Sequence, residues 1–290
     1  MTYLNCYELL KQVRQGLGEF SEALVSGQRP GTHTNDYLID EINKAQNYLY
    51  ALALKRMPGD FLGKASLTGV AGVFTLPADF ATLLLFQDKD GNQVHRARPD
   101  QLHKPAAKGS PRMYYQKQRG LVLDREDVTD TYTLWYRRRP RRIHASRTTA
   151  ASVSPATDIT LGAAAVKIDD YYNGMVVENV TADSFDTITD YVGSTRVATI
   201  AVATAKNDYY GLVSDLPEVL HDLIAPKALI SIKSTSPLVK ARVGTAEVNE
   251  FTTLLSTTFA AYHDAEEDVD QEEVFADFGP KMLLGGIRAE

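Results

Sequence analysis

Five arginines within six positions, Arg137, Arg138, Arg139, Arg141 and Arg142 around Pro140, are the densest chemistry in this sequence. A guanidinium is permanently charged and presents its donors as a planar fork, which matches phosphate oxygens, so a nucleic-acid backbone is one partner the cluster suits. Acidic groups of a neighbouring subunit, or water, are the alternative. The overall charge weighs towards that alternative, because 31 Lys and Arg against 37 Asp and Glu leave −6. Moreover, no aromatic residue is interleaved among the arginines to stack on bases.

The other reactive residue types form no recognisable constellation. Six histidines, His33, His95, His103, His144, His221 and His263, never fall at the three- or four-residue spacing that sets two ligands on one helix face. Gly69-Val70-Ala71-Gly72 lacks the following Lys-Ser/Thr and the third glycine of a phosphate loop. Neither Gly-x-Ser-x-Gly nor His-Glu-x-x-His occurs. Cys6, the single cysteine, reads as a small apolar filler; it excludes an internal disulfide and a thiolate zinc site, and fits a reducing compartment. The acidic run Asp264, Glu266, Glu267, Asp268, Asp270, Glu272 and Glu273 lacks the glycine of a calcium loop and reads as a solvated or partner-facing segment. Asp169, Asp170, Asp186 and Asp190 are the carboxylates a glycosidase or nuclease would use, but nothing in the sequence fixes their separation. The expectation is a chain with no catalytic residue, no metal and no cofactor.

The elements that would carry these residues follow from hydrophobic period. Leu9, Leu10, Val13, Leu17, Phe20 and Leu24 recur at helical steps between Leu4 and Val25. Asn35 is a candidate cap for a second helix running to about Met57, with Leu38, Ile42, Ala45, Leu49 and Leu52 on its stripe. From Phe61 to Trp135 the pattern turns to short strands, with Asp90-Gly91-Asn92 as a hairpin signal. In Thr131–Tyr136, Tyr132, Leu134 and Tyr136 share one face and Thr131, Thr133 and Trp135 the other, with the buried face left open. Residues 145–157 have linker composition, and 160–213 read as a separate β unit with strands at Ala165–Ile168, Met175–Val180, Phe185–Thr189 and Val197–Val202. Helix resumes at Leu216-Pro217-Glu218, with Asp215 as a candidate cap, a kink or break near Pro226 and another start at Ser236-Pro237. The last residues place Phe275, Phe278, Met282, Leu283 and Leu284 after the acidic run without helical period, so they require a partner for burial. No stretch of 18 apolar residues exists, and Met1–Asn5 does not begin a secretory signal, so a soluble, non-membrane protein is expected.

Together these readings give an α+β chain. Its helical-bundle core with a β-strand region spans 1–144 plus 214–263, an inserted small β module spans 158–213, and an extended C-terminal arm spans 264–290. Asp40-Glu41-Ile42-Asn43-Lys44-Ala45-Gln46, the turn Leu76-Pro77-Ala78-Asp79-Phe80, the strand ending Leu134-Trp135-Tyr136, and Leu216-Pro217-Glu218-Val219-Leu220-His221-Asp222 resemble the head-to-tail adaptor (connector or head-completion) proteins of tailed bacteriophages. The segments 170–175 and 188–199 resemble a small β module of phage structural proteins. The resemblance implies a homo-oligomeric ring, commonly of twelve copies, in the virion at the head-tail junction, assembled in the host cytoplasm. Its partners would be the portal and a tail or nozzle protein, with tail fibres as a further candidate and transient, non-specific contact with DNA in the channel. It also implies that the arm docks on the portal, with Phe275, Phe278, Met282, Leu283 and Leu284 as anchors. The arginine cluster is then a DNA or inter-subunit contact. A tail nozzle, fibre-anchoring or decoration protein is the alternative role.

Overall fold

The computed structural model describes residues 4–19, 33–97, 113–117, 120–124, 129–147, 156–162, 164–204, 208–235 and 244–266. The chain divides into two compact units, Met1–Gly59 with Leu216–Glu290, and Asp60–Asp215.

The first unit is helical. Helix α1 (Cys6–Gly16) starts where the Asn5 side chain accepts from the backbone N–H groups of Tyr7 and Glu8, at 2.7 and 3.0 Å. Helix α2 (Asn35–Arg56) is capped by Thr34, one residue before the expected cap, because the Asn35 side-chain oxygen is taken by Arg14. A short 3₁₀ turn (Glu218–Leu220) leads into α3 (His221–Thr235), which runs through Pro226 without breaking. Helix α4 (Thr245–Glu266) follows. Leu9, Leu10, Val13, Leu38, Ile42, Leu49, Leu223, Ile224 and Ile232 are buried. Gly16 permits the closest approach: a Cβ there would lie 2.5 Å from Leu229 Cδ1.

The second unit is built of strands: β1 (Leu62–Thr68), β2 (Val73–Thr75), β3 (Phe80–Gln87), β4 (His95–Arg96), β5 (Met113–Lys117), β6 (Gly120–Leu123), β7 (Thr131–Arg138), β8 (Ala145–Arg147), β9 (Ala156–Thr160), β10 (Val176–Asn179), β11 (Ser184–Thr187), β12 (Asp190–Val192), β13 (Val197–Thr204) and β14 (Tyr209–Leu212). They form four sheets, β1-β7-β3, β2-β6-β5-β4, β11-β10-β14-β8 and β12-β13-β9. The first two close over one core in which Phe74, Phe86, Tyr114, Leu121, Tyr132, Leu134 and Tyr136 meet. Phe86 stacks on Tyr132 and meets Phe74 and Tyr114 edge-on, the arrangements that aromatic quadrupoles favour. Thus the Tyr132, Leu134 and Tyr136 face of β7 is the buried one. On the opposite face Lys64 lies over the Trp135 ring and Gln87 accepts from its indole N–H.

This architecture corrects the expected fold class. Among the described residues the chain is mostly β, without a helical-bundle core to which strands are appended; Asp60–Asp215 is a unit with its own interior, and no α-helix occurs among its described residues. The physical reason is aromatic. Side chains from β2, β3, β5 and β7 supply enough apolar surface to close two sheets on each other without a helix. A second correction is local: Ala165–Ile168 is irregular, bent backbone rather than strand, held where Tyr172 Oη accepts from Val166 N–H and Tyr191 Oη–H donates to Val166 C=O.

Candidate functional site

Strand β7 delivers the arginine cluster. Its alternation puts Tyr136 inside, where burial, reinforced by the Asp79 carboxylate, pushes the phenol well above its ordinary range; Tyr136 Oη–H donates to Asp79 at 2.9 Å. Asp79 belongs to the Leu76-Pro77-Ala78-Asp79-Phe80 turn, and its carbonyl accepts from Arg139 N–H at 2.7 Å. One aspartate therefore ties that turn to the end of β7, at the base of the cluster.

Beyond this anchor the five arginines part company. Arg141 turns inward. Its Nε and Nη2 donate to the two oxygens of Asp215 at 2.8 and 2.9 Å, its backbone N–H donates to the same carboxylate at 3.0 Å, and Nη1 donates to the Asn173 carbonyl at 2.5 Å. Burial works against its charge, but hydrogen bonding and attraction from Asp215 outweigh that, so its pKa lies above the usual guanidinium value. Asp215 is thus the acceptor for Arg141 and does not cap the 3₁₀ turn at Glu218, which has no side-chain cap. Arg138, exposed, donates to the Asp60 carbonyl at 2.9 Å. Arg142 is exposed while its backbone N–H donates to Tyr171 Oη. Arg139 is exposed and Arg137 half-buried. The surface cation of this segment comes from Arg138, Arg139 and Arg142, with Arg141 acting as an internal strut.

The arm anchors Phe275, Phe278, Met282, Leu283 and Leu284 lie outside the described residues. So does His103, and of the remaining histidines three make local contacts. His33 Nδ1 faces Glu19 at 3.1 Å, His144 Nδ1 faces Tyr210 Oη at 3.4 Å, and His221 Nε2 faces the Leu216 carbonyl at 2.9 Å. Among the described residues no group of three or more His, Cys, Asp and Glu is placed to hold a metal ion. Cys6 is fully buried, which pushes its thiol far above the ordinary range. Three of the enzyme-type carboxylates accept hydrogen bonds from within the strand unit. Asp169 accepts from Gly193 N–H, Asp170 from the Asn173 amide, and Asp186 from Thr187 N–H. Among the described residues no helix is long and apolar enough to cross a membrane.

Sequence reasoning missed a buried charge network in the helical unit. Arg14 is fully buried and donates to Glu19 at 2.7 Å, to the His33 carbonyl at 3.2 Å and to Asn35. Burial lowers its pKa while Glu19 opposes the shift. The signal was present: Arg14 falls four residues after Leu10, on the apolar stripe of α1, where a charged residue requires a partner.

Residues 1–182 match the family model described as SU10 adaptor protein. The match runs through α1, α2, the two-sheet core, the arginine segment and β10. No curated protein matches the chain.

Proposed function

Because the chain belongs to the SU10 adaptor protein family, we propose that this structural phage protein forms a ring connecting portal to tail, with DNA passing through its channel. The family match carries the reading, and three physical features support it. A ring repeats one heterologous interface around a closed circle, so a modest contact per subunit yields a stable assembly. Exposed apolar side chains suited to such contacts occur in both units, at Val70, Val73, Val248 and Leu254. A subunit of net charge −6 avoids gripping the DNA it must pass. In this reading Arg138, Arg139 and Arg142 meet a neighbouring subunit or transient DNA. Residues 158–213 act as an inserted module towards a tail partner, and 264–290 dock on the portal. Twelve copies is the expected ring.

The test uses the purified full chain with the portal protein of the same phage. Rings seated on portals by electron microscopy are the expected result, and deleting 264–290 abolishes seating while leaving the helical circular-dichroism signal. A chain that stays monomeric with its portal present contradicts the ring, and unchanged seating after the deletion contradicts the docking arm.

A further inference from the structure

The overall charge of −6 conceals a sharp division within the strand unit. Residues 60–147, which end with β8, carry 16 Lys and Arg against 9 Asp and Glu, whereas residues 148–215 carry 3 against 9. One compact unit therefore joins a part of charge +7 to a part of charge −6. The arginine segment lies in the basic part, and the ion pair it makes with the acidic part, Arg141 with Asp215, engages one of its five guanidinium groups. Arg139 is exposed and has no ion-pair partner among the described residues.

The acidic part sets charge on one sheet face. In β12-β13-β9, Asp190 lies opposite Thr199 and Thr199 opposite Asp158, so a single cross-strand row carries two carboxylates. Neighbouring strands run about 4.8 Å apart, which separates the two by roughly 10 Å. The adjacent row, Tyr191, Ala198 and Ile159, is buried, and the row beyond it is Val192, Val197 and Thr160. Alternation thus turns Asp158, Asp190 and Val192 to the outer face. Both aspartates are exposed, and Val192 is 40% exposed. Thr199 Oγ1–H donates to Asp158 at 3.0 Å, and neither carboxylate has an ion-pair partner among the described residues.

We infer that this face of β12-β13-β9 is the surface on which Arg139 and Arg142 of a second copy dock; the contact deepens the ring reading and rests on it for its repetition around a circle. The acidic face and Arg139 belong to one folded unit and stay unneutralised by each other within it, so their counter-charges come from another molecule. Nucleic acid would satisfy the arginines and leave the acidic face bare, whereas a second copy satisfies both. Spacing agrees: Arg139 and Arg142 are three residues apart, up to about 10 Å of extended chain, and a guanidinium fork takes a carboxylate through two hydrogen bonds. The arginine stems supply apolar surface to cover Val192. Every contact uses one half of each copy and leaves the other half open for the next, which is the heterologous geometry that closes into rings.

Charge reversal in the full chain tests this, with association read by sedimentation velocity and rings by electron microscopy on portals of the same phage. One variant is Asp158→Lys with Asp190→Lys, the other Arg139→Glu with Arg142→Glu; all four positions are exposed, and melting temperatures near that of the wild type verify folding. If the aspartate reversal lowers the melting temperature, Asp158→Asn with Asp190→Asn replaces it. Each reversal alone is expected to weaken association by about tenfold or more. An equimolar mixture of the two is expected to recover to within about threefold of the wild type, because the lysines of one variant meet the glutamates of the other while their unaltered halves still fit. A mixture that restores nothing, or an aspartate variant that associates like the wild type while the arginine variant does not, assigns the arginines to DNA or another surface and overturns the inference. Rings that both variants form undiminished overturn the contact and leave the ring reading standing. A mixture that restores association without ever closing into rings on portals supports the contact and overturns the ring reading, and a wild-type chain monomeric with its portal overturns both.

Discussion

Arg139 and Arg141 stand two positions apart and do different work. The Arg141 guanidinium is held by both Asp215 oxygens and the Asn173 carbonyl, with its side chain 12% exposed. Removing its partner strands a partly buried cation, so Asp215→Ala is expected to cost about 2–4 kcal/mol of stability in urea unfolding. Arg139→Ala, at an exposed position, is expected to stay within about 0.5 kcal/mol. If the two variants lose equal stability, the strut assignment is wrong. Assembly should rank them the other way: replacing Arg138, Arg139 and Arg142 together with alanine is expected to leave folding intact and weaken subunit or DNA association, an effect read from its loss of salt dependence in sedimentation.

At the scale of elements, turns tightly packed on neighbouring backbone are the sensitive points. A Cβ on Gly193 would sit 2.4 Å from Ile168 N, a contact with backbone that cannot swing aside, so Gly193→Ala is expected to cost more than about 3 kcal/mol in thermal or urea unfolding. Asn5→Ala, which removes the acceptor for two N–H groups at the start of α1, is expected to cost about 1 kcal/mol. These elements differ in how far the sequence revealed them. The Leu9, Leu10 and Val13 part of the α1 stripe, the alternation of β7 and the Asp90-Gly91-Asn92 turn, where Gly91 has φ +80°, are local patterns and were legible, whereas the helix stops at Gly16, short of the expected Val25, and Phe20 and Leu24 lie outside the described residues. Pairing was not, because β1 joins β7 with Leu62 opposite Arg137, a register set by a core whose aromatic residues come from strands far apart in sequence. Nor was the Asp215–Arg141 contact legible: an aspartate before Leu-Pro looks like a cap until the partner 74 residues away is known. The same cause makes Ala165–Ile168 irregular where a strand was expected, since two buried tyrosine hydroxyls claim the Val166 peptide groups that a ladder would use.

For the whole molecule, the buried tyrosines set an alkaline limit. Burial pushes Tyr191 up to about 12, and Tyr136 and Tyr172 are raised further for the same primary reason. A free tyrosine ionises near 10, so between about pH 10 and 12 the unfolded chain releases protons that the folded chain retains. Their contribution is then fully present below about pH 10 and is lost as pH rises through the folded values. The melting temperature is expected to hold to about pH 9.5 and then fall, with a shallower fall for Tyr191→Phe; a melting temperature flat to pH 12 contradicts the packing of that cluster. At this scale the chain joins a helical unit and a strand unit, and its family membership assigns the pair to the virion. The most direct measurement is a cryo-electron microscopy map of the intact phage at its portal vertex. The account predicts that both units fit a ring of density between portal and tail, with the arginine segment at a subunit boundary or facing the channel. Density for the chain found elsewhere on the particle, or none at the vertex, contradicts it.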